Sequence, residues 1–214
     1  MKPFSKNKLL IEKTISLYPL FWPRLYSTLR SYILPVSEIE SLLPKTGSVL
    51  DVGCGYGFTS IFFALKNTKR QIIGSEIDNK RIILAKKISS NISNLSFITS
   101  DLINQRQSDF DAILAIDLLH HLSPHQKNCF LKSSFSKLNS NSVLIIKDIN
   151  SRPLLKYLWN YLHDLIMTRF SRLYFQSPLQ MKNLLAKNHF RIIKQGKYRH
   201  IFYPHVYYVC QKKS

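Results

Sequence analysis

The sequence predicts an α/β fold, a doubly wound and mainly parallel sheet wrapped by helices. Three observations carry the prediction. Short apolar runs alternate with helix-like stretches from residue 48 to 149. Those runs are continuously apolar, as strands covered on both faces are. A glycine-rich turn, Gly53-Cys54-Gly55-Tyr56-Gly57, follows the first run directly.

The elements follow in order. Residues 1–46 read as helical, with breaks at Pro19, Pro23 and Pro35. "SVLDV" (48–52) reads as a strand and "TSIFFALK" (59–66) as a helix. "RQIIGSEID" (70–78) is strand-like, and "KRIILAKKISSN" (80–91) has the period of an amphipathic helix. "LSFITSD" (95–101) and "DAILAID" (111–117) are strands, "HQKNCFLKSSFSKL" (125–138) a helix and "SVLIIKDI" (142–149) a strand. "SPLQMKNLLAKN" (177–188) is a capped helix, and two final strand-like runs, from Phe190 and from His205, suit an antiparallel pair. The expected organisation is one domain, 1–214. It comprises a helical cap (1–46), a ligand-binding core (47–150), a helical lid insertion (151–175) and a C-terminal helix and hairpin (176–214).

Glycine lets a ligand touch main chain, so the 53–57 turn is where something approaches the backbone. A dinucleotide fingerprint reads G-x-G-x-x-G. Here the spacing is G-x-G-x-G, with Asp51 two residues before the first glycine. A carboxylate there repels a pyrophosphate and suits an ammonium, which argues for a cofactor with an amino-acid end. Further acids fall at the ends of the next three strands: Glu76, Asp101 and Asp117. Glu76 lies 19 positions after Gly57, where an acid typically binds ribose hydroxyls. Asp78 is a rival for that role on the same strand face.

With these residues in hand, the sequence resembles a class I S-adenosylmethionine-dependent methyltransferase of the small-molecule branch. "VLDVGCGYG" matches that family's first motif, and "IIGSEID" its second. "FITSDL" resembles the adenine-contacting motif, and "FDAILAIDLLHHL" the fourth strand and following turn. The resemblance implies a Rossmann-like seven-stranded sheet of order 3-2-1-4-5-7-6 with strand 7 antiparallel. It implies S-adenosyl-L-methionine as cofactor. Asp51, Gly53, Gly55 and Gly57 would face its methionine part, Glu76 the ribose and Asp101 the adenine amino group. Asp117 would lie beside the methionine end and the acceptor. The chain departs from the family after the last helix, where Asn188-His189 replaces the usual glycine; asparagine tolerates the left-handed conformation.

Methyl transfer from a sulfonium is an in-line displacement that positioning can largely carry. A base is needed where the nucleophile must lose a proton. His121 and His120, just past Asp117, are the candidates. His121 comes first, because a helical turn would stack it on Asp117 four residues before. His163, His200 and His205 are weaker candidates. No His/Cys group has metal-ligand spacing, so no metal is expected.

The net charge is +19. Residues 31–150 carry only +3, residues 1–30 carry +5 and residues 151–214 carry +11. A basic collar draws an acidic partner. The same flanks are greasy: Leu17, Tyr18, Leu20, Phe21, Trp22 and Tyr26 in one, Leu154, Leu158, Tyr161, Leu162, Leu165 and Ile166 in the other. They suit a small lipophilic acceptor, anionic or held on an acyl-carrier protein, or a peripheral contact with a membrane. Nucleic acid is disfavoured. The turn after the fourth strand lacks the proline pair of amino-methylating enzymes, and no cysteine stands where a cytosine-5 nucleophile would. The alternatives are an RNA methyltransferase and a cofactor-binding partner subunit without activity. Residues 1–30 and 151–175 are expected to cap the acceptor site, with Tyr18, Trp22, Tyr157, Tyr161 and His163 nearest the acceptor. Removal of 1–30 is expected to spare cofactor binding. Three unpaired cysteines suit a reducing cytoplasm. Glu12 and Lys13 interrupt the apolar run a signal peptide needs, and no run is long enough to span a bilayer.

Overall fold

In the computed structural model, the described residues are 7–100, 109–149, 173–198 and 205–213. They form a seven-stranded sheet of order β3-β2-β1-β4-β5-β7-β6, the predicted order. The chain packs as two compact units, Met1–Asn104 and Gln105–Ser214.

The first unit opens with three helices: α1 (Lys8–Ser16), α2 (Phe21–Ile33) and α3 (Val36–Glu40). β1 (Gly47–Val52), α4 (Phe58–Lys66), β2 (Arg70–Glu76), α5 (Asn79–Ile88) and β3 (Leu95–Thr99) follow. β1 and β3 both pair with β2 in parallel. α4 is buried on all sides from Phe58 to Ala64, as a helix wedged between a sheet and another helix must be. α1 packs on its outer side and also meets α2. Arg70 anchors the start of β2. Its side chain is 3% exposed, pairs with Glu40 at 2.8 Å and donates from Nε to the Pro44 carbonyl at 2.5 Å. The predicted break at Pro23 does not occur. Pro23 is the third residue of α2, within the first turn, where a backbone N–H has no intrahelical acceptor to lose.

The second unit contains β4 (Phe110–Ile116), a 3₁₀ turn (Leu119–His121), α6 (Pro124–Lys137), β5 (Leu138–Ile149), α7 (Pro178–Lys187), β6 (Phe190–Tyr198) and β7 (His205–Lys212). β5 runs parallel to β4, and β7 is antiparallel to both β5 and β6. α6 and α7 each begin with a reciprocal capping box, Ser123/Gln126 and Ser177/Gln180, followed by proline at the first helical position.

Two local expectations change. β5 begins at Leu138, not at Ser142: the polar stretch Asn139–Asn141 is strand, held where Asn139 Nδ2 donates to the Asp109 carbonyl and the Asp111 carboxylate. After α7 the left-handed residue is His189 (φ 62°), whereas Asn188 has φ −98°. Asn188 instead uses its amide to donate to Asn128 Oδ1 and to the Leu184 carbonyl.

Candidate active site

The glycine turn is built by β1 feeding α4. Gly53, Gly55 and Gly57 have φ of 72°, 58° and 83°, the left-handed region that side-chain-bearing residues avoid. The Gly53 and Cys54 amides both donate to the Ser75 carbonyl, which ties the turn to β2. At Gly57 a β-carbon would stand 2.6 Å from Phe97 Cζ, so this glycine lets the β3 phenylalanine close against the turn. At Gly55, among the described residues, a β-carbon would meet Tyr26 Oη at 3.8 Å and nothing nearer. One glycine is needed for packing, and the other leaves a space.

The acids around the turn are differently engaged. Asp51 is 1% exposed, and its Oδ2 accepts from the Thr59 hydroxyl at 2.7 Å and the Ser60 hydroxyl at 2.6 Å, both on α4. Burial pushes its carboxyl above the ordinary range; the two hydroxyls and the nearby Arg30 guanidinium pull it back, and Glu76 adds to the rise. Glu76 accepts the Gly55 amide on Oε2 at 3.0 Å and the Ile77 and Asp78 amides on Oε1. Arg81 Nη1 also stands 3.9 Å from Oε2, so that oxygen, with a single amide on it, is the side where a further donor would sit beside the guanidinium. Asp78, the rival, caps α5 by accepting the Lys80 and Arg81 amides. Asp101 lies outside the described residues.

The N-terminal helices reach this turn. Tyr18 is fully buried and its hydroxyl donates to the Tyr56 carbonyl at 3.0 Å. The Tyr26 and Tyr56 rings meet edge to face at 5.5 Å, and the Arg81 guanidinium lies over the Tyr56 ring at 5.5 Å. Arg30 donates to Tyr26 Oη at 3.2 Å. Tyr18, Tyr26 and Arg30 therefore support the turn itself, contacts that removal of 1–30 would take away. Trp22 is 73% exposed, on the side of α2 away from the buried Ser27 and Ser31. Tyr157, Tyr161, His163 and His200 lie outside the described residues.

The second unit holds the other candidates. Asp117 directly follows β4 with φ 52°, a conformation aspartate adopts more readily than most residues. Its amide donates to the Lys147 carbonyl, and Lys147 Nζ donates to Asp117 Oδ1 at 2.5 Å with the lysine side chain fully buried. His120 is 2% exposed, and its Nδ1 lies in a short hydrogen bond with Asp148 Oδ1. Phe175 stacks on the His120 ring, centroids 5.1 Å apart and 6° from parallel. The Tyr174 amide donates to the His120 carbonyl, and the Tyr174 carbonyl accepts from Lys127 Nζ. His121 is exposed, its ring 4.0 Å from that of His120. The helical turn expected to stack His121 on Asp117 is a 3₁₀ turn beginning at Leu119, with three residues per turn in place of 3.6, and it lays the exposed His121 ring against the buried His120. His205 opens β7 and is buried.

Sequence reasoning passed over Arg30, Lys147, Asp148 and Phe175. For Asp148 the signal was present: like Asp51 and Glu76, it is an acid at the carboxyl end of a strand. Among the described residues no group of three or more His, Cys, Asp or Glu could hold a metal ion, and no helix is long and apolar enough to cross a membrane.

Comparison with known proteins agrees with this architecture. The profile of a family described as a methyltransferase domain matches residues 43–203. Carboxy-S-adenosyl-L-methionine synthase of Campylobacter concisus is 26% identical over 113 residues, 51% of this chain and 47% of that protein. (S)-coclaurine N-methyltransferase of Papaver somniferum is 28% identical over 110 residues, 50% of this chain and 31% of that protein. The chain thus spans less than half the length of these relatives. Among solved structures, 1,6-didemethyltoxoflavin-N1-methyltransferase of Burkholderia thailandensis, with bound 1,6-didemethyltoxoflavin and S-adenosylhomocysteine, superposes with a TM-score of 0.72 at 17% identity, covering 100% of this chain and 92% of that one. With the family profile covering most of its length and the seven strands in the expected order, the chain belongs to the methyltransferase domain family, in its class I S-adenosylmethionine-dependent form.

Proposed function

We propose that this chain is an S-adenosylmethionine-dependent methyltransferase acting on a small, lipophilic acceptor, free or presented by an acidic carrier. The observation that carries the reading is the space beyond Gly55, where a β-carbon would meet only the Tyr26 hydroxyl at 3.8 Å among the described residues. The charges around it suit an amino-acid-bearing nucleoside. Asp51 would hold the ammonium and Arg30 the carboxylate, while Glu76 would take ribose hydroxyls and Asp101 the adenine amino group. The bound cofactor supplies an electrophilic methyl group on a sulfonium.

The remaining chemistry belongs to side chains. With the Asp148 carboxylate accepting the Nδ1 proton, the lone pair of a neutral His120 resides on Nε2, the tautomer of a proton acceptor. Phe175 fixes the ring plane. His120 is thus the base we assign, in preference to the exposed His121.

Titration calorimetry tests the first half. S-adenosylmethionine and S-adenosylhomocysteine are expected to bind and NAD to give no heat, and Gly55→Val is expected to abolish binding by filling the space. Binding of neither ligand by a folded chain overturns the reading. His120→Asn is expected to lower turnover by roughly 10²-fold, the typical contribution of a general base, with S-adenosylhomocysteine affinity unchanged.

One observation favours the RNA alternative. A shallow groove of about 460 Å³ along α7 and β6 is lined by Lys182, Arg191, Lys194 and Lys213 with no acid among its lining residues. RNA binding that falls steeply with salt would support that reading, and its absence leaves the small-molecule one. Cofactor binding with no transfer to any acceptor would mark a partner subunit.

A further inference from the structure

Helix α2 is turned inside out. Its buried residues are Pro23, Ser27 and Ser31, small and spaced by four. Its large apolar residues face outward: Phe21 is 70% exposed, Trp22 73%, Leu25 36%, Leu29 52% and Tyr32 63%. At about 100° per residue these five fall within an arc of about 100° on the side opposite the serines. Leu20, 56% exposed, continues the patch at the head of the helix, and Leu9 on α1 is 80% exposed. A soluble helix normally presents this stripe to its own core. An outward apolar stripe of this kind marks an interaction surface.

Charge selects the partner. The chain carries +19 overall and +5 over residues 1–30. Exposed Arg24 stands on α2 beside the stripe, and exposed Lys8 and Lys13 on α1. A second copy of the chain would bring the same excess of positive charge to the contact, a repulsion that disfavours association. An anionic lipid surface supplies the opposite charge and an apolar interior together. The residue types agree: leucine and phenylalanine enter the acyl boundary, tryptophan and tyrosine settle at headgroup level, and arginine and lysine meet phosphate.

We propose that α2 docks the protein peripherally on an anionic membrane surface, lying in the plane of the interface with Phe21, Trp22, Leu25, Leu29 and Tyr32 immersed. The flank of the same helix carries Tyr26 and Arg30, which stand at the glycine turn. Docking therefore brings the turn to the bilayer. A lipophilic acceptor partitioned in the membrane would reach it there, a consequence that rests on the proposed function, whereas the docking itself does not.

The full chain carrying Trp159→Phe, which leaves Trp22 as the single tryptophan, is the reporter. It is mixed with vesicles of equal parts phosphatidylglycerol and phosphatidylcholine, and with vesicles of phosphatidylcholine alone. The expected result is co-sedimentation with the anionic vesicles, quenching of Trp22 by lipids brominated on the acyl chain, and weakening by salt. Phe21→Ser/Leu29→Ser is expected to lower vesicle affinity roughly tenfold or more, the loss due to two large apolar side chains, with S-adenosylhomocysteine binding retained as proof of fold. Equal binding by that double variant overturns the proposal. So does a dimer in sedimentation velocity that the double variant abolishes, which would assign the face to a second copy. Absence of vesicle binding with Trp22 shielded from iodide in the free protein also overturns it, because the chain then covers the stripe itself. Failure of cofactor binding with vesicle binding intact would remove the methyltransferase reading and leave this one standing.

Discussion

At Asp51 the demands of the proposed cofactor and of the fold's stability pull in opposite directions. It is 1% exposed and its carboxyl is pushed above the ordinary value of 3.8, chiefly by burial. An acid whose folded value is raised keeps its proton over a window where the unfolded chain has lost it. The folded state then binds more protons, so ligand-free stability falls as pH rises from 3.8 to the raised value and is level above it. Asp51→Asn removes the penalty, because an amide oxygen can still accept from Thr59 and Ser60. The melting temperature of Asp51→Asn is expected to exceed that of the wild type above this window and to converge with it at low pH. Affinity for S-adenosylmethionine moves the other way, with a loss of about 1.5–3 kcal/mol for a hydrogen bond to a charged group. A variant less stable than the wild type at every pH would show that the carboxylate is needed by the fold and not by the ligand.

At the scale of the element, α1 and α2 are working parts of the glycine turn. Tyr18, between them, donates from full burial to the Tyr56 carbonyl. Tyr18→Phe keeps the packing and strands that carbonyl. It is expected to cost about 1 kcal/mol in urea unfolding, the net worth of one hydrogen bond, and to weaken S-adenosylhomocysteine binding while, in the Trp159→Phe background, Trp22 fluorescence stays the same. Unchanged ligand affinity would detach the N-terminal helices from the site. The core elements were legible in the sequence because their signals are local: apolar runs ending in an acid, glycines at the turn, and Ser-Pro-x-Gln at two helix starts. The start of β5 was hidden because Asn139–Asn141 has loop composition; what ties it down is the Asn139 side-chain amide, which donates to the Asp109 carbonyl and the Asp111 carboxylate across the irregular start of the β4–β5 pairing. The role of Pro23 depended on where α2 begins, a matter of three residues. The glycine turn and Glu76 were readable from spacing, whereas the engagement of Lys147 with Asp117 and of Asp148 with His120 depends on side chains from neighbouring strands meeting in space. No spacing within either segment encodes those meetings.

For the whole molecule the governing quantity is charge. With 31 basic and 12 acidic residues, most cations have no anion to answer them, and the compact state holds them nearer together than the unfolded chain does. The internal pair Arg70–Glu40 is shielded from solvent ions, the arginine side chain being 3% exposed, so salt screens it far less than it screens the surface repulsion. Salt is therefore expected to stabilise this protein. Raising sodium chloride from low concentration to about 0.15 M, where the Debye length shrinks to about 8 Å, should raise the melting temperature by several degrees. Specific anion binding would mimic this effect, and it is separated by repeating the titration with sodium sulfate at matched ionic strength. Coincident curves identify screening, and a larger rise in sulfate identifies bound anions at sites such as the Lys182–Arg191–Lys194–Lys213 groove. A melting temperature that falls with salt would mean that surface ion pairs outweigh the repulsion, and that the +19 excess is distributed over the folded surface with little internal strain.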